Sequence, residues 1–198
     1  SASNKPKFAP VDENAPDNRG DIYATNQGWV RAAGTKASGN DNVNAQPEVL
    51  VAIGGLAGTS ATTGLRTPTI TRTRFIVGTT ANTDFTANDA AFECNVEITF
   101  DEAVTVTGSP TLTVTNNDAS SGGYGSLTLA YQSATSTANQ LRFRKTSGGA
   151  GNTDVLTVST LNLNGGTIKD TAAAAAGNTV AATLTYASGI AVSKTVSS

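Results

Sequence analysis

"FDEAVTVTGSPTLTVTNN", Phe100 to Asn117, is the stretch whose reading decides the fold. Val104, Val106, Leu112 and Val114 alternate with threonines on either side of Gly108-Ser109-Pro110. A period of two places successive side chains on opposite faces of a strand, so each run reads as a strand with one apolar and one hydroxyl face. Gly, Ser and Pro between them supply turn chemistry. The segment therefore reads as a hairpin at the edge of a sandwich, with Val and Leu in the core and Thr in water. It is scaffold rather than chemistry.

The same pattern continues outward. "AFECNVEITF" (91–100) alternates Phe92, Cys94, Val96, Ile98 and Phe100 against Glu93, Asn95, Glu97 and Thr99, a strand with one buried and one wet face. "TPTITRTRFIVG" precedes it, and "GSLTLAYQ", "NQLRFRK", "DVLTVSTLNL", "GTIKD", "VAATLTYA" and "GIAVSKTV" follow. Short alternating runs separated by Gly, Asn and Ser at intervals of roughly 8–15 residues indicate an all-β sandwich or barrel. "TAAAAAG" (171–177) is the one conceivable helix, a loop decoration of one or two turns.

Composition agrees. The 198-residue chain is 38% apolar and 14% charged, against about 45–50% and about 25% in ordinary domains. Thr, Ser, Ala, Asn and Gly fill the difference, favouring strands and turns. A net charge of −2 supplies no field for nucleic acid or an anionic membrane. No apolar run approaches the roughly 20 residues of a membrane span. "SASNKPKFAP" lacks the apolar centre of a signal peptide, although a chain that has already lost one reads the same. The lone Cys94 excludes an internal disulfide and reads as a buried structural thiol.

Residues 1–66 differ in character. Pro6, Pro10 and Pro16 stand among polar residues and favour extended backbone. "IYATNQGWVRAAG" holds Ile22, Tyr23 and the only Trp, Trp29. "PEVLVAIGGLAG" holds Val49, Leu50 and Ile53, and reads as one buried strand or as a short helix begun by Pro47 and Glu48; strand is the expectation. Disordered tails lack such aromatic and β-branched residues. Residues 1–66 are therefore expected to form an extended N-terminal arm with short strands. Ile22, Tyr23, Trp29, Val49, Leu50 and Ile53 are its expected partner-binding anchors. The alternative for Trp29 is that it plugs one end of its own sandwich. Residues 67–198 form the expected sandwich domain.

Several constellations invite a chemical reading. Glu93 and Glu97 would lie roughly 13 Å apart along one strand, too far and too parallel to face each other across a cleft as glycosidase carboxylates do at about 5–10 Å. Asp101 and Glu102 are merely adjacent. The chain has no His. "NDNVN" (40–44) and "NNDASSGG" (116–123) lack EF-hand spacing and read as Asx turns. Arg19-Gly20-Asp21 reads as an incidental tripeptide. Arg72 and Arg74, and Arg142, Arg144 and Lys145, form basic strips suited to an acidic partner surface. Neither a catalytic residue nor a cofactor or metal is expected.

"ITFDEAVTVTGSPTLTVT", "LTLAYQSATSTANQLRFRK" and "LNLNGGTIKDTAAAAAGNTVAATLT" together resemble a family of Ig-like β-sandwich repeats of bacterial surface proteins and phage structural proteins. The matching positions are Val106, Thr107, Gly108, Pro110 and Leu112; Ala130 and Tyr131; Leu141 and Phe143; then Leu163 to Gly166, Ile168, Asp170, Gly177 and Asn178. Departures are "QSATSTANQ" after the Tyr and the alanine insertion after Asp170, both in loops. The opening region resembles the N-terminal part of structural proteins of tailed phages, particularly those of marine cyanobacteria. These resemblances imply an antiparallel Ig-like β-sandwich in a non-enzymatic virion structural protein at the particle surface, a capsid decoration (cement) protein. The major capsid protein or other virion proteins are the implied partners, with a homo-oligomer possible and neither nucleic acid nor membrane involved. The alternatives are a neck or tail accessory protein, or an adhesin-like module that recognises a host surface glycan or protein.

Overall fold

The computed structural model describes residues 21–34, 42–57, 68–77, 80–81, 85–86, 93–171, 183–185 and 193–197. Among them the extended elements are strands, with 3-10 geometry at Asp21 and in a turn at Ser133–Thr135. The chain is all-β, as the alternation requires.

Strands β1 (Ile22–Thr25), β2 (Gly28–Arg31) and β3 (Glu48–Ala52) form a three-stranded antiparallel sheet in that order. The Val-Leu-Val run is thus a strand, but not the buried one expected: only Leu50 is partly covered, because β3 packs with one side to solvent. Thr25 and Gly28 close the β1–β2 turn, where Gly28 has φ +126° and a Cβ would sit 2.0 Å from the Val51 carbonyl oxygen. Only glycine fits there.

The remaining strands are β4 (Ile70–Val77), β5 (Thr80–Ala81), β6 (Phe85–Thr86), β7 (Asn95–Phe100), β8 (Val104–Thr107), β9 (Thr111–Asn116), β10 (Leu127–Tyr131), β11 (Gln140–Ser147), β12 (Val155–Asn162), β13 (Thr167–Asp170), β14 (Thr183–Thr185) and β15 (Ser193–Ser197). Ten of them form one curled sheet, ordered β5-β4-β7-β11-β10-β9-β12-β15-β6, with β14 also on β12. All its pairings are antiparallel except β15 with β6.

The opening stretch departs from expectation here. Its Val and Leu do face inward and its threonines do face outward, but β8 and β9 do not form a hairpin. β8 pairs with β13, whereas β9 lies between β10 and β12. A turn motif states that the chain reverses; it does not state which neighbour each strand finds. "NLNGGT" behaves the same way. Asn164 (φ +49°) and Gly165 (φ +77°) form a tight turn with Gly166 N–H donating to Leu163 O at 2.8 Å. Yet that turn leads from β12 out of the large sheet into the β8–β13 ribbon.

One core fills the space inside. Val96, Ile98 and Phe100 from β7, Leu112 and Val114 from β9, Leu127 and Leu129 from β10, Leu141 and Phe143 from β11, and Leu156, Val158 and Leu161 from β12 are all buried. Val104 and Ile168 from the ribbon complete it, with Leu163 beside them. The Tyr131 and Phe143 rings lie 5.9 Å apart at 54°, within the range of favourable tilted pairs.

A second departure concerns β7. Its non-core face, expected to be wet, is buried: Glu97 and Thr99 are both fully covered. Period two correctly assigned Glu97 to the face opposite Val96 and Ile98, but the side chains of Arg72, Arg74 and Arg142 gather on it there.

Candidate interaction surface

The N-terminal sheet meets the large sheet at the corner next to this strand. Ala24 N–H donates to Asp101 O at 2.8 Å, and Ala24 forms a parallel bridge with Glu102, so β1 runs against the corner that joins β7 to β8. Asp21, at the start of β1, lies within electrostatic reach of Arg72, Arg74, Arg31 and Glu97. Burial raises its carboxyl above the ordinary aspartate value despite these arginines. Of the Arg19-Gly20-Asp21 tripeptide only Asp21 is among the described residues, and it is engaged at this seam.

The expected anchors divide into two groups. Ile22 and Trp29 are 2% and 3% exposed, in a small cluster with Ala24, Leu56 and Ala57. Leu50 leans against that cluster and Tyr23 is half-buried. Burial raises the Tyr23 phenol above its usual value. Val49 and Ile53 are exposed, at 42% and 36%. The chain itself therefore covers Ile22 and Trp29, and three short strands suffice to build them a core. Val43 (74%) and Val51 (39%), not singled out among the expected anchors, join Val49 and Ile53 outside. Val51 stood in the same apolar run; what the sequence did not tell was that only Leu50 of β3 is partly covered.

The basic strips have an intramolecular partner. The register sets Arg74 and Arg142 opposite Glu97 on either side of β7, with Arg72 opposite Thr99. Glu97 Oε1 accepts from Arg72 Nη2 at 3.1 Å and Arg74 Nε at 2.9 Å, while Oε2 accepts from Arg142 Nε at 3.1 Å. Three charge-assisted contacts offset the desolvation of one fully buried carboxylate. Three guanidinium groups drawn from neighbouring strands onto one carboxylate make the cluster a clamp across β4, β7 and β11. Arg144 is paired with Glu93 at the surface.

Two other carboxyl groups have contrasting surroundings. Asp154 accepts from Ser120 N at 2.7 Å, Gly151 N at 2.8 Å and Asn116 Nδ2 at 2.9 Å. Burial alone would raise it, but the backbone donors of Gly151 and Ser120 and then Asn116 hold it down at about 2. It ties the 116–124 loop to β12. Within that loop Asn116, Asn117 and Asp118 side chains accept from nearby backbone N–H groups, the Asx turns expected for "NNDASSGG". Asn42 does the same for Asn44. Glu102, by contrast, is fully buried with no hydrogen-bond partner at either oxygen. Burial, and then the charges of Asp170 and Asp101, push it up to about 8.

Burial pushes the Cys94 thiol up to about 12, which leaves it un-ionised and unreactive at neutral pH. An open cleft of about 340 Å³ is lined by Ile76, Glu93, Asn95, Gln132, Arg142 and Arg144, among others. Its charged groups are those already paired above. No group of three or more potential metal-ligating side chains occurs among the described residues, and no described helix is long and apolar enough to cross a membrane. The chain matches no family model, no curated protein and no solved structure.

Proposed function

We propose that this chain is a non-enzymatic structural protein of a tailed-phage virion, a capsid decoration protein. It displays an Ig-like sandwich, formed by the curled sheet closed with the β8–β13 ribbon, and is held to the capsid by its N-terminal region, residues 1–66. The observation that carries this reading is the placement of Val43, Val49, Val51 and Ile53. The exposed large apolar side chains of the described residues all fall between positions 43 and 53. That is the region whose sequence resembles phage structural proteins, and exposed apolar side chains concentrated on one segment favour a protein contact. The engagement of Glu97 and Asp154 within the chain, and the inert Cys94, support a structural over a catalytic role.

The test is the protein composition of purified particles from the source. The proposal expects this chain at a fixed ratio to the major capsid protein. Its absence from particles, with recovery as a lone secreted chain, would overturn the proposal in favour of the adhesin.

A further inference from the structure

We propose that Glu102 is a proton-held latch: it keeps its proton while β1 is seated on the corner joining β7 and β8, and loss of that proton releases the N-terminal sheet from the curled sheet. The argument begins with burial. Glu102 is 0% exposed, and neither carboxyl oxygen has a hydrogen-bond partner. An ionised carboxylate in that setting has lost its water and gained nothing in return. Its charged neighbours deepen the problem. Asp101 adjoins it in sequence and Asp170 acts on it from β13; both are carboxyl groups.

The position is equally specific. Glu102 bridges directly to Ala24 of β1, and the adjacent Asp101 carbonyl takes the Ala24 amide. Asp101 Oδ1 also accepts from Thr69 N at 2.8 Å, so the main-sheet side of the corner is fixed. Asn139 and Ala138 accept from Phe100 and Val104, and Thr171 donates to Ala103, on the other sides of the corner; β1 is the element bridged to Glu102 itself, so the latch places the opening there. The other titratable groups of β1 and its start are Asp21, which sits among Arg31, Arg72 and Arg74, and Tyr23. On β13, Lys169 is half-exposed beside Asp170. None of these supplies Glu102 with a counter-charge.

The direction of the pH effect follows. In the seated state Glu102 titrates near about 8, and once released it titrates near the ordinary value of 4.5. Below the lower value both states are protonated and the latch holds fully. Between the two, opening sheds one proton, so the opening constant rises about tenfold per pH unit. Above the upper value both states are ionised and the dependence levels off.

The experiment follows amide exchange of Ala24 in the full chain, referenced to the Ile98 amide in the same sample so that the intrinsic pH dependence cancels. Across about pH 5 to about pH 8, relative protection of Ala24 should fall by up to about tenfold per unit and then level off. Glu102→Gln, neutral at every pH, should show no such slope. Asp170→Asn, which removes one like charge, should keep the slope but move the levelling-off point to lower pH. A flat wild-type profile, or a Glu102→Gln profile that follows the wild type, overturns the latch. Should Glu102→Gln fail to fold, an unmoved levelling-off point in Asp170→Asn overturns it as well.

Discussion

At the scale of single residues, charge placement separates an interior clamp from surface decoration. Glu97 is fully buried and holds Arg72, Arg74 and Arg142, themselves only 8%, 19% and 15% exposed. Glu97→Gln keeps the shape but leaves three guanidinium groups in a site built for an anion. Breaking a buried pair from one side costs about 3–5 kcal/mol, and a fall in the urea midpoint at unchanged slope would register it. Glu93→Gln is the internal control. Its pair with Arg144 is 66% and 58% exposed in the two side chains, and exposed pairs contribute about 0–1 kcal/mol. Equal losses in the two variants would mean that Glu97 is solvated after all. The ingredients of the clamp stand in the sequence as alternate arginines in "TRTRF" and "LRFRK" and a glutamate in "NVEITF". What was missing was the strand order that sets those runs side by side.

At the scale of elements, the turn that read as a hairpin and the Asn164–Gly166 turn act as a clasp. Gly108 (φ +75°) and the Asn164–Gly166 turn carry the chain between the curled sheet and the β8–β13 ribbon, and they touch. A Cβ on Gly108 would lie 2.8 Å from Gly166 Cα, and one on Gly166 would lie 2.1 Å from Thr107 O. Asn164 Nδ2 donates to Ser109 O and to Thr111 Oγ1, each at 3.1 Å, binding one turn to the other. Thr105 with Thr171 and Thr107 with Thr167 cross-link the ribbon itself. Gly166→Ala must therefore push backbone apart, an overpacking effect of about 1–3 kcal/mol. Thermal unfolding should show this as a lowered midpoint. An unchanged midpoint would mean that the two turns do not meet. The strands were legible because alternation is local, and the turns because Gly and Asn at positive φ are local too. Pairing is a long-range choice, and nothing within Val104–Asn117 says that β8 seeks Ile168 rather than Leu112.

At the scale of the whole molecule, two sheets meet at a seam that carries unusual charge. The N-terminal sheet meets the curled sheet at the corner joining β7 to β8, with Asp21 within electrostatic reach of Arg72 and Arg74 and Glu102 unpartnered where it bridges to Ala24. The all-β class and the inward set Val96, Ile98, Phe100, Leu112 and Val114 were readable from pattern alone. The N-terminal sheet was not, because four- and five-residue strands leave too short a period, and Trp29 gives no sign in sequence of whether its cover comes from within. With Ile22 and Trp29 satisfied inside, the surface left for a partner is the exposed side of β3 and its approach. The central claim is that this surface holds the protein to its particle, and the most direct measurement is particle occupancy of a Val49→Asp, Val51→Asp double variant. Both side chains are exposed, so the melting temperature should stay within a few degrees of the wild type, as surface substitutions allow. The account predicts at least a roughly thirtyfold loss of affinity for particles, read from occupancy across a range of protein concentrations, the equivalent of about 2 kcal/mol at an interface hot spot. A folded double variant that decorates particles at the wild-type level would contradict it.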